Sequence, residues 1–298
     1  MRLKGNLILL CVAVIWGTAF VAQRVAAQSL GVFLFNGVRF LLAVAILLPF
    51  TLKTGWKTEK STLRWIGLGG VLLFMASALQ QAGLRWTTAA NAGFITSLYV
   101  VFVPLLLVIF WKERLPWLNW GAAFVAIFGV KLLSAPAQFQ LAPGDSLELA
   151  GSVVWALHVI LVSRVVKRLD ALQFSLGQYL VCGLLNMAAA IFLDWDTTGG
   201  LAAAWWAVVY GGVVSVGLGY TLQVIGQKFS PPTDAALILS SEAVFAALAG
   251  YLFIQEGLKP LQLVGCGLIL AAILIVQIWG TRQTASQKNS PLSNPGFE

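Results

Sequence analysis

Charge is what this chain most lacks. Aspartate, glutamate, lysine and arginine make up 10% of its 298 residues, where a soluble domain carries about 25%. So few charges cannot cover a water-facing surface. With 59% hydrophobic residues and a mean hydropathy of +0.87, the natural solvent is lipid. Histidine is nearly absent: His158 stands alone and makes no metal site by itself. Cys11, Cys182 and Cys266 lie in apolar runs without paired spacing, which reads as small core residues rather than disulfides or metal ligands. There is no Walker A sequence, no HExxH and no Cys/His ligand set. The chain also lacks the carboxylate cluster, or the base beside a nucleophile, that a membrane-embedded transferase needs, and it has no nucleotide-binding domain for ATP-driven pumping. No enzyme and no cofactor are expected. Period-2 alternation is missing too, which argues against a β-barrel.

What is there is a series of apolar runs, about 5–26, 31–52, 64–84, 88–110, 117–134, 147–166, 171–193, 203–227, 234–254 and 260–280. Each suits a helix crossing the ~30 Å hydrocarbon core, with its backbone hydrogen bonds satisfied internally. One stretch occurs twice. Leu79 to Leu115 aligns without a gap on Leu222 to Leu258, matching at Gln80/Gln223, Gly83/Gly226, Ser97/Ser240, Phe102/Phe245 and Glu113/Glu256. Earlier in each half, Gly5, Trp16 and Phe35 recur as Gly144, Trp155 and Phe174 at constant separation. The basic start and apolar first run resemble a signal peptide, but the run is long for one and has this echo, so it reads as a retained span.

Ten spans then divide into a first five-helix repeat over 1–136 and a second over 137–280, followed by a polar tail, 281–298, expected to be a disordered cytoplasmic end. An odd number of crossings inverts the second repeat relative to the first, and inverted repeats of this kind place substrate near the midplane around a central cavity. The fold class expected is an all-α membrane protein. Lysine and arginine are unevenly shared between the two sets of loops. Arg2, Lys4, Lys53, Lys57, Lys60, Arg64, Lys112, Arg114, Arg164, Lys167, Arg168, Lys228, Arg282 and Lys288 fall on the side of the N-terminus, against Arg24, Arg85, Lys131 and Lys259. That bias puts both termini in the cytoplasm, so the +8 net charge speaks of membrane orientation and not of nucleic acid. Asp145, Glu148, Asp194, Asp196 and Glu256 are assigned to outer loops. Most tryptophans fall near span ends, as interfacial anchors do.

Polar groups deep in a span are costly and so become functional candidates. Glu242, mid-span, is a proton-coupling site or a partner for a substrate amine; the bland alternative is a carboxyl hydrogen-bonded between helices. Its repeat partner is Tyr99. Arg39 either binds a substrate carboxylate or ties helices together. His158 lines a cavity, relays protons or is a satisfied core imidazole. Trp16 and Trp155 form pocket walls or a gate, or simply pack. Tyr220, Gln80 and Gln223 are weaker candidates for the cavity wall. Asn91 and Asp234, at the start of a span in each half, read as helix N-caps, and Arg24 as a snorkelling side chain. Gly211, Ser215 and Gly219, and likewise Ala246 and Gly250, are spaced for close helix contacts.

At the Ile-Trp-Gly-Thr-Ala-Phe-Val segment from Ile15, the Val-Arg-Phe-Leu-Leu segment from Val38 and the two copies ending near Glu113 and Glu256, the chain resembles the EamA family of the drug/metabolite transporter superfamily. The resemblance implies ten helices, a cavity between halves and movement of amino acids, other small metabolites or drugs, often outward. The family pattern often carries a proline just after the places of Tyr99 and Glu242. Here those places hold Val100 and Ala243, with Pro104 one turn later. The expectation is a secondary transporter in a bacterial inner membrane, a monomer or homodimer, with proton coupling open. A membrane-embedded enzyme, a non-transporting scaffold or sensor, and a channel are the rival readings.

Overall fold

The computed structural model describes residues 2–54, 60–114, 116–134 and 143–255, with short pieces between 257 and 275. Among the described residues there are helices and no strand. They are α1 (Arg2–Ala26), α2 (Val32–Thr54), α3 (Lys60–Gly83), α4 (Ala89–Thr96), α5 (Tyr99–Trp111), α6 (Trp117–Ser134), α7 (Pro143–Val165) and α8 (Ala171–Leu193). After a 3₁₀ turn at Trp195–Leu201 follow α9 (Trp205–Val209), a π-helix at Tyr210–Tyr220, α10 (Thr221–Gln227), α11 (Pro232–Leu239) and α12 (Glu242–Ile254). Eight stretches are long and apolar enough to cross a membrane, with α4–α5, α9–α10 and α11–α12 each counting as one. Among the described residues, the fifth and tenth runs of the sequence carry shorter apolar helices, Trp117–Gly129 and Leu263–Ala272. The polar tail, Cys266, Trp279 and Glu256 lie outside the described residues.

Helix starts follow local chemistry. Thr88 caps α4 by accepting from Asn91 N at 3.1 Å, and Asp170 caps α8 by accepting from Gln173 N at 3.0 Å. Asn91 and Asp234 are not caps, as the sequence suggested. Asn91 donates to Thr87 Oγ1 (2.8 Å) and Asp145 Oδ1 (2.7 Å), tying α4 to α7. Asp234 forms an ion pair with Arg2, tying α11 to α1. Equivalent positions thus fasten equivalent helices, by different groups. Three acids assigned to outer loops are also placed otherwise. Asp145 and Glu148 belong to the first turns of α7. Asp194 is buried and takes the N–H groups of Phe33 (2.5 Å) and Leu34 (3.2 Å) at the start of α2. Arg24 does not snorkel: it donates to the carbonyls of Leu84 (2.6 Å) and Arg85 (3.2 Å) at the end of α3, where the helix has carbonyls without internal partners. Cys11 is exposed rather than part of the core, while Cys182 is buried. Trp86, Trp117, Trp195 and Trp205 project outward, as interfacial anchors do.

The repeat seen in the sequence reappears in the packing. α2 lies along α8, with room made by glycine: a Cβ on Gly37 would sit 2.6 Å from Met187 Sδ, and one on Gly183 2.9 Å from Leu41 Cδ2. α3 packs on α7 and α8; correspondingly, the π-helix and α10 pack on α1, and the π-helix on α2. α1 meets α12 as α7 meets α5. Gly211 and Gly219 do not share one helix neighbour. Gly211 faces Arg39 of α2 and Gly219 faces Trp16 of α1, because the π winding turns the stripe between them.

Candidate functional site

The site is organised by two interrupted helices. The span from Ala89 to Trp111 breaks at Ser97–Leu98, and the span from Pro232 to Ile254 breaks at Ser240–Ser241. The residues at both breaks stay right-handed, but ψ rises to between −16° and −10°, away from the α-helical value near −42°. The backbone bonds shorten by one residue at matching places: Leu98 N to Ile95 O and Ser241 N to Ile238 O, Val100 N to Ser97 O and Ala243 N to Ser240 O. No proline is needed. Serine hydroxyls bond back to the preceding turn, Ser97 to Gly93 O at 2.6 Å, Ser240 to Leu237 O at 2.7 Å and Ser241 to Ile238 O at 2.7 Å, a pairing that bends helices. The two breaks also touch, with Ser97 Oγ donating to Ser240 O at 3.1 Å. Both spans end alike, on Lys112 and Gln255 in the left-handed region at φ 52° and 57°.

Just past each break begins a helix whose first residue faces a shared cavity: Tyr99 for α5 and Glu242 for α12. The cavity is tight, leaving about 20 Å³ for the centre of a water-sized sphere. α1 contributes Trp16, Phe20 and Gln23, spaced for one helix face. Trp155 and Val159 come from α7, Gln80 from α3 and Thr96 from α4. Ser215 and Tyr220 come from the π-helix, and Gln223 from α10. Tyr220 is the hub of the aromatic wall, 4.6 Å from Trp16 and stacked 5.7 Å from Trp155; the two indoles lie 6.5 Å apart.

The polar contacts are unlike in the two halves. Trp155 Nε1 donates to Gln80 Oε1 at 2.8 Å, while Gln80 Nε2 reaches Gln23 Oε1 at 3.4 Å. Trp16 does not repeat this with Gln223. Its Nε1 donates to the carbonyl of Ser215, at 3.2 Å, within the π-helix. Gln223 is fully buried, with neither amide atom engaged. The Glu242 carboxyl and the Tyr99 hydroxyl are buried against each other at the two breaks, without a well-formed hydrogen bond to any other group. In a native structure such groups call for an explanation, and a ligand is one.

Of the residues singled out from the sequence, Trp16, Tyr99, Trp155, Tyr220 and Glu242 line this cavity, as do Gln80 and Gln223. Arg39 and His158 do not. Arg39 is buried on α2 with its guanidinium 5.0 Å from the Phe35 ring and 5.3 Å from the Phe40 ring. His158 bonds Gln178 Oε1 at 3.0 Å and meets Trp155 and Tyr220 edge-on from behind, at 5.9 and 6.5 Å. Sequence reasoning missed Phe20, Gln23, Thr96, Val159 and Ser215. Helical spacing from Trp16 and Trp155 would have found Phe20, Gln23 and Val159. Ser215 offers a backbone carbonyl, which no side-chain pattern announces.

The profile of the EamA-like transporter family matches the chain twice, over residues 3–135 and 142–278. A protein of Archaeoglobus fulgidus described as an uncharacterized transporter is 31% identical over 281 residues, covering 93% of this chain and 87% of that one. The uncharacterized inner membrane transporter YedA of Escherichia coli K12 is 22% identical, with coverage of 89% and 88%. One solved crystal structure, 21% identical, shares the fold with a TM-score of 0.78 over 95% of this chain and 99% of its own.

Proposed function

The chain belongs to the EamA-like transporter family, within the drug/metabolite transporter superfamily, and on that premise we propose that it is a secondary carrier of small organic metabolites, moved outward across a bacterial inner membrane. Amino acids, related compounds and drugs are the expected cargo. The observation that carries this reading is the cavity at the helix breaks. Its aromatic wall suits an apolar body, and its few polar groups converge on one space, as in sites that bind small molecules. Glu242 offers an acceptor to a substrate amine and a place for a coupling proton. Gln223 offers a donor and an acceptor side by side. Trp16, Trp155, Tyr99 and Tyr220 hold the substrate's apolar part, while Arg39 and His158 brace the wall from behind.

The movement follows from the repeats. Two inverted five-span halves, residues 1–136 and 137–280, rock about the cavity and open it to one side and then the other. The lysine and arginine bias supports an arrangement with both termini in the cytoplasm. A scaffold without transport would have no use for a cavity that leaves the Gln223 amide unpaired.

The first test compares the metabolite contents of medium and cells with the protein overproduced and absent. One chemical class is expected to gather in the medium, and identical profiles would end the carrier reading. The second measures transport of that compound by Glu242→Gln in proteoliposomes. The rate is expected to fall about tenfold or more, the equivalent of ~1.4 kcal/mol, and to lose its dependence on pH. A rate and pH profile equal to wild type would remove Glu242 from the mechanism.

A further inference from the structure

A second buried carboxyl group lies behind the cavity wall, on α7. Glu148 is fully buried, and its Oε2 accepts a hydrogen bond of 2.9 Å from Thr96 Oγ1. Thr96 itself lines the cavity. Glu148 Oε1 is buried without a partner, and it fits only because Gly83 of α3 has no side chain: a Cβ there would lie 2.8 Å from Oε1. Glu148 is within electrostatic reach of Glu242 on α12 and of Asp145, three residues earlier on α7. No cation faces it among the described ion pairs. The nearby Arg24 and Arg85 donate to the carbonyls of Leu84, Arg85 and Leu30. From Asp145 the polar line continues to Asn91 and Thr87 at the end of the helices.

The other half keeps the end of this line, with Ser230 Oγ donating to Asn6 Oδ1 at 2.6 Å and Asp234 paired with Arg2, but not the part that reaches the cavity. The places of Glu148 and Thr96 are taken there by Leu9 and Leu239, both in the apolar core. A buried carboxyl pointed at a threonine that opens on the cavity, present in one repeat only, gives the protein a one-sided polar path. We propose that Glu148 is a proton-relay residue, linking Glu242 through Thr96 and one cavity water to the membrane face at Asp145. In one direction, the water, taking a proton from the Glu242 carboxyl, gives one of its own to Thr96 Oγ1. Thr96 passes its original proton to Glu148 Oε2, so the hydroxyl stays neutral and Glu148 ends protonated while Glu242 is left charged. In reverse, protons enter from the Asp145 side. This rests on the carrier reading above. With both termini cytoplasmic, Asp145 faces outward, the side from which an exporter takes its driving protons.

The test needs no substrate. The full chain in liposomes is titrated with alkali in D₂O while infrared absorption follows the carboxylic C=O stretch. Loss of bands in Glu148→Gln and Glu242→Gln assigns each carboxyl. In the wild type the two bands are expected to respond to one another, each shifting or changing intensity when the other group is removed. Thr96→Val should abolish that coupling and Thr96→Ser should restore it. A Glu148 band that stays constant throughout the titration and is unmoved by Glu242→Gln makes Glu148 a permanently protonated packing group and overturns the proposal. Coupling that survives in Thr96→Val overturns the path through Thr96. Because the readout is protonation, either result leaves the metabolite comparison to decide the carrier reading separately.

Discussion

At the scale of single residues, Gln80 and Gln223 hold equivalent places and are used differently. Gln80 supports an indole; Gln223 is left for something else to bind. Trp155→Phe would strand Gln80 Oε1 in a buried setting, a loss of about 1–3 kcal/mol. Trp16→Phe gives up a bond to a carbonyl at 3.2 Å, worth about 0.5–1.5 kcal/mol. Thermal unfolding in detergent should therefore rank Trp155→Phe as the less stable variant, and the opposite order would show that the Gln80 contact does not matter in the resting state. Gly17 tests packing. A Cβ there would run into Phe245 Cβ and sit 2.8 Å from Glu242 O, so Gly17→Ala should cost about 1–3 kcal/mol by overpacking and move the start of α12. Polar and aromatic residues within apolar runs pointed to Glu242, Trp16 and Trp155, which line one cavity. Glu148 escaped notice because it stands three residues from Asp145 at the beginning of its run, where an acid looks solvated. Only packing against Gly83 and Thr96 reveals that it is buried.

At the scale of the element, the two breaks do what proline does in other helices. Val100 and Ala243 make the spans look uninterrupted in sequence, and continuous apolar runs were the natural reading. The signal was instead the serines, whose hydroxyls compete for the carbonyls of the preceding turn. Ser240→Ala combined with Ser241→Ala should favour a straighter helix and carry Glu242 away from the cavity. Transport of the compound identified above is expected to fall about tenfold, in line with the sensitivity of such sites to displacements near 1 Å, while Tm changes little. Unaltered initial rates would mean that the interruption is held by packing alone. The π-helix was equally invisible. Its residues read as a glycine stripe at four-residue spacing, and only the wider winding sends Gly211 to α2 and Gly219 to α1.

At the scale of the whole molecule, the internal repeat was the most legible feature, because it survives in helix contacts, in paired backbone bonds and in the two left-handed ends at Lys112 and Gln255. Of the ten apolar runs, eight have described stretches of spanning length, and the fifth and tenth carry shorter apolar helices among the described residues. Labelling of single cysteines, placed in a background without Cys11, Cys182 and Cys266, tests the arrangement. Lys112→Cys and Arg164→Cys should react from the cytoplasmic side, Trp86→Cys and Asp196→Cys from the other, and mixed reactivity within either pair would refute the inverted halves. The contact of Ser97 with Ser240 has one more consequence. If the halves exchange shapes during each cycle, this junction is a fulcrum that looks alike from either end of the journey. A change there can slow the swing but gives it no preferred sense. Any bias in direction has to come from residues lacking a counterpart across the fulcrum.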